Sequence, residues 1–396
     1  MADVEHDYPM ARACPYHPPS GFARLRETGP VTKVRLASGD TAWAVTGHRE
    51  SRALFADPRI SSDATRPGFP EPGRRKGAPK PDPAAKRRAQ TFVEMDDPEH
   101  RSHRRVLIPA FTVRQAAAMR PLIRKTTDTL LRRLRAAGPP ADLVSRYAVP
   151  LPSAMLCHLL GLPDEDHTFF RARADAAVLD KRSSGQAFGE LRAYFERLLA
   201  AGPREGVLGL LTSGGSRAGL EPSRMANLCV MLVVAGHETS ADMIAMGTLA
   251  LLTHTRQLAA LRDDPSLAPA AVEELLRFVS VPETVIRMAA DDIEIAGVRI
   301  HAGDAVFLLP GGANRDAAAF PDPDVLDVRR SARHHLAFGY GVHQCLGQNL
   351  ARVELEIALS ALLEHLPGLR LAVPAERLTR RAPGGLQGVG ELPVAW

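Results

Sequence analysis

The sequence predicts a mainly α-helical protein with a small β portion, an α+β fold, and three observations carry that expectation. Long 3.6-residue apolar periodicities occupy residues 114–136, 186–200, 224–254, 269–279 and 346–366. Short β-rich runs cluster twice. Val31–Leu36 and Thr41–Val45 flank a Ser-Gly-Asp turn and read as a hairpin, while Ile293–Ile295, Val298–Ile300 and 305–309 are expected to make a second small sheet between helices. No internal repeat and no Pro/Gly-rich stretch separates two cores, so residues 1–396 are expected to form a single domain.

Composition narrows the class. Apolar residues make up 45% and charged residues 24%, which suits a globular chain rather than a disordered or fibrous one. The formal charge is +5, but arginines are scattered through the helical patterns and only 5% of residues are aromatic, so no nucleic-acid surface is expected. An acidic protein partner accounts for the charge equally well. Cys14, Cys157, Cys229 and Cys345 form no CxxC pattern, and free thiols suit a reducing cytoplasm. The N-terminus lacks a secretion signal and no uninterrupted apolar run approaches the roughly 20 residues of a membrane span, so a cytoplasmic location without membrane attachment is expected. Residues 66–90, rich in Pro, Gly, Lys and Arg, read as a basic loop, either plain solvated surface or an active-site lid.

The most informative run is FGYGVHQCLG, residues 338–347, which leads into an apolar-faced helix ended by Pro367-Gly368. Cys345 therefore sits at a helix N-terminus, where the dipole and unpaired N–H groups favour a thiolate by up to ~2 kcal/mol. Gly339 and Gly341 permit unusual backbone angles and close approach to a flat, bulky group, against which Phe338 would pack. A lone cysteine in an apolar setting is commonly just a small buried residue. The flanking glycines and the helix start favour a ligand.

A second run, LCVMLVVAGHETSADMI at 228–244, places Gly236, His237, Glu238 and Thr239 inside an apolar helix. Gly there costs ~1 kcal/mol relative to Ala, and Thr can bond back one turn, so the pair either opens a groove or simply allows a close helix crossing. Ala241 stands where a zinc-protease HExxH motif needs its second His. Elsewhere, His100 and Arg104 share a helical face in EHRSHRRVL, a pattern also common on surfaces, and Glu274 and Arg277 are spaced as an i,i+3 pair worth ~0.5 kcal/mol or less at a surface.

These runs together resemble the cytochrome P450 family, in the order the family has them. FGYGVHQCLG fills every position of its Phe-Gly-x-Gly-x-His-x-Cys-x-Gly pattern, and AGHETS is similar to its Ala-Gly-x-Asp/Glu-Thr-Thr/Ser segment. The resemblance implies a triangular helical fold with heme b between the long oxygen-activating helix and the cysteine-loop helix, Cys345 being the axial thiolate. It implies propionate contacts from His100, Arg104, Arg287 and His343, and packing from Phe338 and Gly339. Thr239 would serve oxygen and Glu238 the proton relay. The helix that would carry His100 departs from the family at Ser102 and His103. Glu274 and Arg277 match a structural pair behind the heme, and Val325 stands where a third, basic member would be expected.

By the same resemblance the chain would be a monooxygenase of the soluble actinobacterial type, hydroxylating a largely apolar small molecule with O2 in secondary-metabolite tailoring or xenobiotic oxidation. Electrons would come from a ferredoxin served by an NAD(P)H-dependent reductase and docked near Arg104, Arg105 and Arg352, with the enzyme a monomer. Substrate contacts would come from Phe92, Val93, Val230, Val234, Thr284, Val285, Ile286 and Leu386. Three alternatives stay open on the residues alone: epoxidation or oxidative coupling in the same fold, a non-catalytic heme sensor, and a Cys345/His343 hydrolase.

Overall fold

The computed structural model describes residues 6–71, 82–179, 184–202, 204–215, 219–381 and 385–396. Ten residues of the basic segment, 72–81, lie outside that set. Its described end forms a short helix, Pro83–Ala89, rather than loop, because the long helix below satisfies its C-terminal carbonyls. Asn227 Nδ2 donates to Arg88 O at 2.7 Å and Arg224 to Gln90 O at 2.9 Å.

Eight helices matter for the site: α1 Glu99–Leu107, α2 Arg120–Ala137, α3 Pro150–Leu160, α4 His167–Leu179, α5 Ser184–Ala200, α6 Pro222–Thr253, α7 Ala268–Val279 and α8 Gln348–His365. The pattern read as one helix over 114–136 is two, Val113–Ala118 and α2, with Pro121 in the first turn of the second. α6 is 32 residues long and apolar enough to cross a bilayer, but the middle of the molecule buries it instead. It packs against α3, α4, α5, α7 and α8.

The sheets correct the expected pairing. Six strands, β1 His6–Tyr8, β2 Val31–Leu36, β3 Thr41–Val45, β4 Ile60–Ser61, β5 Val285–Ala289 and β6 Ala305–Leu308, form one sheet in the order β1-β2-β3-β6-β5-β4. The late run 305–308 thus joins the N-terminal hairpin, parallel to β3 with Ala42 opposite Ala305, and only Ile293–Ile295 and Val298–Ile300 pair as a separate ribbon. Alternation identifies a strand, but nothing local names its partner across most of the chain. β5, hidden by the arginine in VIRMA, is the strand that matters most here.

The Glu274/Arg277 pair is not at the surface. Both side chains are fully buried and bidentate, Nε to Oε2 at 2.7 Å and Nη2 to Oε1 at 2.8 Å. The third member is Arg330, Nε to Glu274 Oε1 at 3.2 Å, while Val325 lends only its carbonyl to Arg277. A buried, hydrogen-bonded pair of this kind fixes one conformation of α7 against the following loop.

Candidate active site

Between α6 and α8 lies a cavity of about 370 Å³, walled mostly by apolar side chains from α3, α6, β5 and the cysteine loop. A wider groove of about 760 Å³ on the outer side of α2, α3 and α4 contains neither Cys345 nor Thr239. Backbone geometry delivers Cys345 to the inner cavity. Gly339 and Gly341 adopt φ of 66° and 74°, and a Cβ on Gly341 would meet Phe55 O at 2.4 Å, so no other residue fits there. Cys345 N donates to Phe338 O at 2.9 Å, closing the loop, and Gly347 begins α8.

The sulfur is exposed to the cavity while the surrounding protein encloses it. Burial pushes its thiol pKa up; backbone amides of Gly347 and Gln348 and the charges of Arg104 and Arg352 oppose that. The helix start therefore supplies the expected donors without outweighing burial. A metal cation at the sulfur would complete the balance, since coordination deprotonates a thiol. Cys157 and Cys229 are buried in the core, where desolvation pushes the Cys157 thiol up to about 12 and raises that of Cys229 as well.

Beside the cysteine, four cationic or imidazole side chains converge from three segments. Arg104 lines the cavity and donates to Gln344 O at 2.6 Å; Arg287 and His343 line it too. The rings of His100 and His343 lie 4.1 Å apart. Burial, then Arg287, His100 and Arg104, depress the His343 pKa to about 3, and burial lowers that of Arg287 to about 10. His100 Nδ1 meets Asp97 Oδ1 at 3.1 Å, but its buried Nε2 has no partner. Such a cluster is costly without an anion. Two carboxylates set among these groups would satisfy the orphaned Nε2 and relieve the mutual repulsion, so the residues present fit heme propionates.

Across the cavity stands α6. Thr239 and Gly236 line it, and Thr239 Oγ donates to Ala235 O at 2.7 Å. A Cβ on Gly236 would meet Leu156 of α3 at 3.0 Å, so the glycine serves a close helix crossing, and α6 runs unbroken through this turn. Glu238 does not face the cavity. Its carboxylate pairs with Arg381, which also lies 2.9 Å from Asp242. His237 points the other way, to Ser153 at 2.8 Å and Asp175 at 3.1 Å. A carboxyl that sequence reasoning missed does line the cavity: Glu354 of α8, hydrogen-bonded to Ser240 and pushed up to about 8 by burial. Only its unexpected polarity on the apolar face of α8 could have signalled it.

The expected substrate contacts divide by helical and strand period. Phe92, Val93 and Val285 line the cavity. Val230 and Val234 do not; Met231, Leu232 and Ala235 do, because four residues, not five or nine, return to the face of Thr239. On β5, Val285 and Arg287 face inward, so Thr284 and Ile286 face away, Thr284 to the Tyr8 hydroxyl and Ile286 into a cluster with Phe22 and Phe307. Leu386 bridges to Pro282, whose ring reaches the cavity in its place. Met155, Leu156 and Leu159 of α3 also line it, and no motif marked them.

Comparison with known proteins agrees with this geometry. The family model described as Cytochrome P450 matches residues 259–367. Pentalenic acid synthase of Streptomyces avermitilis is 47% identical over 98% of this chain and 97% of its own length. Vitamin D3 dihydroxylase of Streptomyces griseolus is 44% identical over 98% of this chain and 96% of its own. Among solved structures, cytochrome P450 MoxA from Nonomuraea recticatena superposes with a TM-score of 0.91 at 42% identity, covering 98% of each chain. With near-complete coverage by both sequence and backbone, the chain belongs to the cytochrome P450 family.

Proposed function

We propose that this P450 inserts one oxygen atom from O2 into a largely apolar small molecule, hydroxylation being the primary outcome, in secondary-metabolite tailoring or xenobiotic oxidation. The observation that carries it is the cavity itself, with Cys345 on one wall, Thr239 on the other and apolar side chains between them. The named relatives, a synthase and a dihydroxylase, support oxidation over gas sensing. Nothing about Cys345 and His343 suits a hydrolase: the thiol is held toward its neutral form and His343 is surrounded by cations.

Heme b, the family's cofactor, supplies reductive activation of O2 when its iron is held by a cysteine thiolate. In this reading Cys345 holds the iron, and His100, Arg104, Arg287 and His343 hold the propionates. The apolar walls exclude water, so protons enter only where a polar side chain admits them. Thr239 presents one at the cavity face of α6, with Glu238 and Arg381 behind it as the outer link to solvent and Glu354 as a second carboxyl inside. All described residues act as one catalytic domain.

Electrons come from a small acidic ferredoxin, with the enzyme acting as a monomer. Of the three arginines expected to dock it, Arg105 is exposed, whereas Arg104 turns inward and Arg352 is tied to Glu273 at 2.6 Å. Val342 of the cysteine loop, and Ile108 and Val113 in the segment whose Phe111 O accepts from Asn349 of α8, are exposed large hydrophobics and add an apolar element to that face.

The reduced, CO-bound protein tests the assignment: a strongly red-shifted Soret band is expected, and Cys345→Ser should abolish both band and turnover. Retention of the band in that variant would remove Cys345 as ligand. Arg105→Glu should slow ferredoxin-driven reduction with no change in the band.

A further inference from the structure

Adjacent acids on α7 have different work. Glu274 belongs to the Arg277 and Arg330 cluster; Glu273 turns toward the cysteine loop. Its side chain is buried, and its oxygens accept from Arg352 of α8, Nε at 2.6 Å and Nη2 at 3.3 Å. The same carboxylate meets His335 Nε2 at 3.1 Å. His335 Nδ1 accepts from Ala337 N at 3.1 Å, so the proton sits on Nε2 and the neutral ring donates to Glu273. Burial opposes ionisation of Glu273, yet His335 and Arg352 hold its pKa at about 2.

Both partners then converge on Phe338. The Arg352 guanidinium lies 4.7 Å from the ring centre and the His335 ring 5.7 Å away. Phe338 is the cavity-lining residue whose carbonyl accepts from Cys345 N. Arg352 rises from α8, whose N-terminus follows Cys345, so its charge sits on the loop that holds the sulfur. Gln348 Oε1, 2.9 Å from Arg352 Nη1, completes the anchoring.

We infer that Glu273 is a positioning residue for the thiolate: it fixes Arg352 over Phe338 and offsets its charge, so that the Cys345 sulfur keeps the electron density it donates to iron. The inference rests on Cys345 being the ligand. Uncompensated, Arg352 would draw that density back, because a partly buried cation acts through a medium of lower dielectric than water. Neutral packing of Phe338 alone would not need a carboxylate.

The test is the heme reduction potential of the holoenzyme, with melting temperature as control. Glu273→Gln, which keeps shape but removes charge, should shift the ferric–ferrous equilibrium toward ferrous by about tenfold, read as about +59 mV for one electron. Arg352→Gln should shift it the opposite way, and the double variant should return near wild type. A purely structural role would move both single variants in the same direction or leave the potential unchanged while stability falls; either result overturns the inference. If Glu273→Gln fails to take up heme, Arg352→Gln decides alone: a lowered potential supports it and an unchanged or raised one overturns it. Loss of the red-shifted CO band in the wild type would instead remove the Cys345 reading, and this one with it.

Discussion

The two walls of the cavity are built on opposite plans. On the cysteine wall the polar groups that shape the loop are tied down: the loop by Cys345 N to Phe338 O, Arg104 to Gln344 O, Arg352 to Glu273, Glu273 to His335. The facing wall is apolar side chains from α3 and α6 interrupted by Thr239 and Ser240. Fixed polar geometry suits a task that never varies, holding a cofactor. An apolar surface of adjustable side chains suits one that varies between enzymes, choosing a substrate. The difference teaches that variants on the first wall should alter what the protein holds, and variants on the second what it accepts.

Removing one of the cations proposed for the propionates is the largest expected effect. Arg287 is largely enclosed, and among the described residues its hydrogen bond is to its own neighbour's carbonyl, Ile286 O at 2.8 Å, with Asp96 adding a favourable charge. Arg287→Leu should weaken heme retention by roughly 10- to 150-fold, the equivalent of one charge-assisted bond at about 1.5 to 3 kcal/mol. The heme-free protein should not be destabilised, because an apolar side chain there replaces a buried cation without a strong partner. Heme transfer to a scavenger and thermal melting of the heme-free form measure the two quantities. Equal retention by wild type and variant would show that Arg287 does not serve the propionates.

How much of this was legible follows the same division. The cysteine loop could be read because its determinants are contiguous: two glycines forced to positive φ, an aromatic, a cysteine and a helix start within ten residues. The four groups expected at the propionates could be named singly, but their convergence beside the cysteine is a contact between distant segments. The facing wall was mostly hidden. Val230 and Val234 were placed on the wrong side of α6 by one step of the helical period, and Thr284 and Ile286 on the wrong face of a strand whose existence was not apparent. Glu238 to Arg381 and Glu274 to Arg330 are contacts between distant segments, and no local pattern announces such partners. The sheet joining β3 to β6 failed to show for the same reason.

A smaller effect is expected at Thr239, a hydroxyl on α6 that faces the cavity and donates to the carbonyl one turn before it. Thr239→Ala should leave CO binding and melting temperature near wild type, since the lost bond to Ala235 O is exchanged for a better helix former. Product formed per electron pair should fall about tenfold, with the difference recovered as hydrogen peroxide; this is less than the roughly hundredfold or more usual for general acid catalysis, because water can partly stand in. Thr239→Ser should restore coupling. Unchanged coupling in the alanine variant would return Thr239 to a helix-packing role and break the contrast between the walls.

The finest test separates neighbours on a single strand. Val285 and Ile286 are consecutive, similar in chemistry and both half-buried, yet one lines the cavity and the other packs with Phe22 and Phe307 on the opposite face of the sheet. Val285→Ala enlarges the cavity by two methyl groups, so binding of a fitted apolar substrate should weaken by a few-fold to tenfold, at roughly 1 kcal/mol, with little change in melting. Ile286→Ala instead opens a hole between sheet and N-terminal helix, costing about 2 kcal/mol or more of stability while substrate affinity stays. Spin-state titration and thermal melting read the two axes. Crossed results, affinity lost at 286 and stability at 285, would mean that β5 presents its other face to the cavity, and with it would go the inward placement of Arg287.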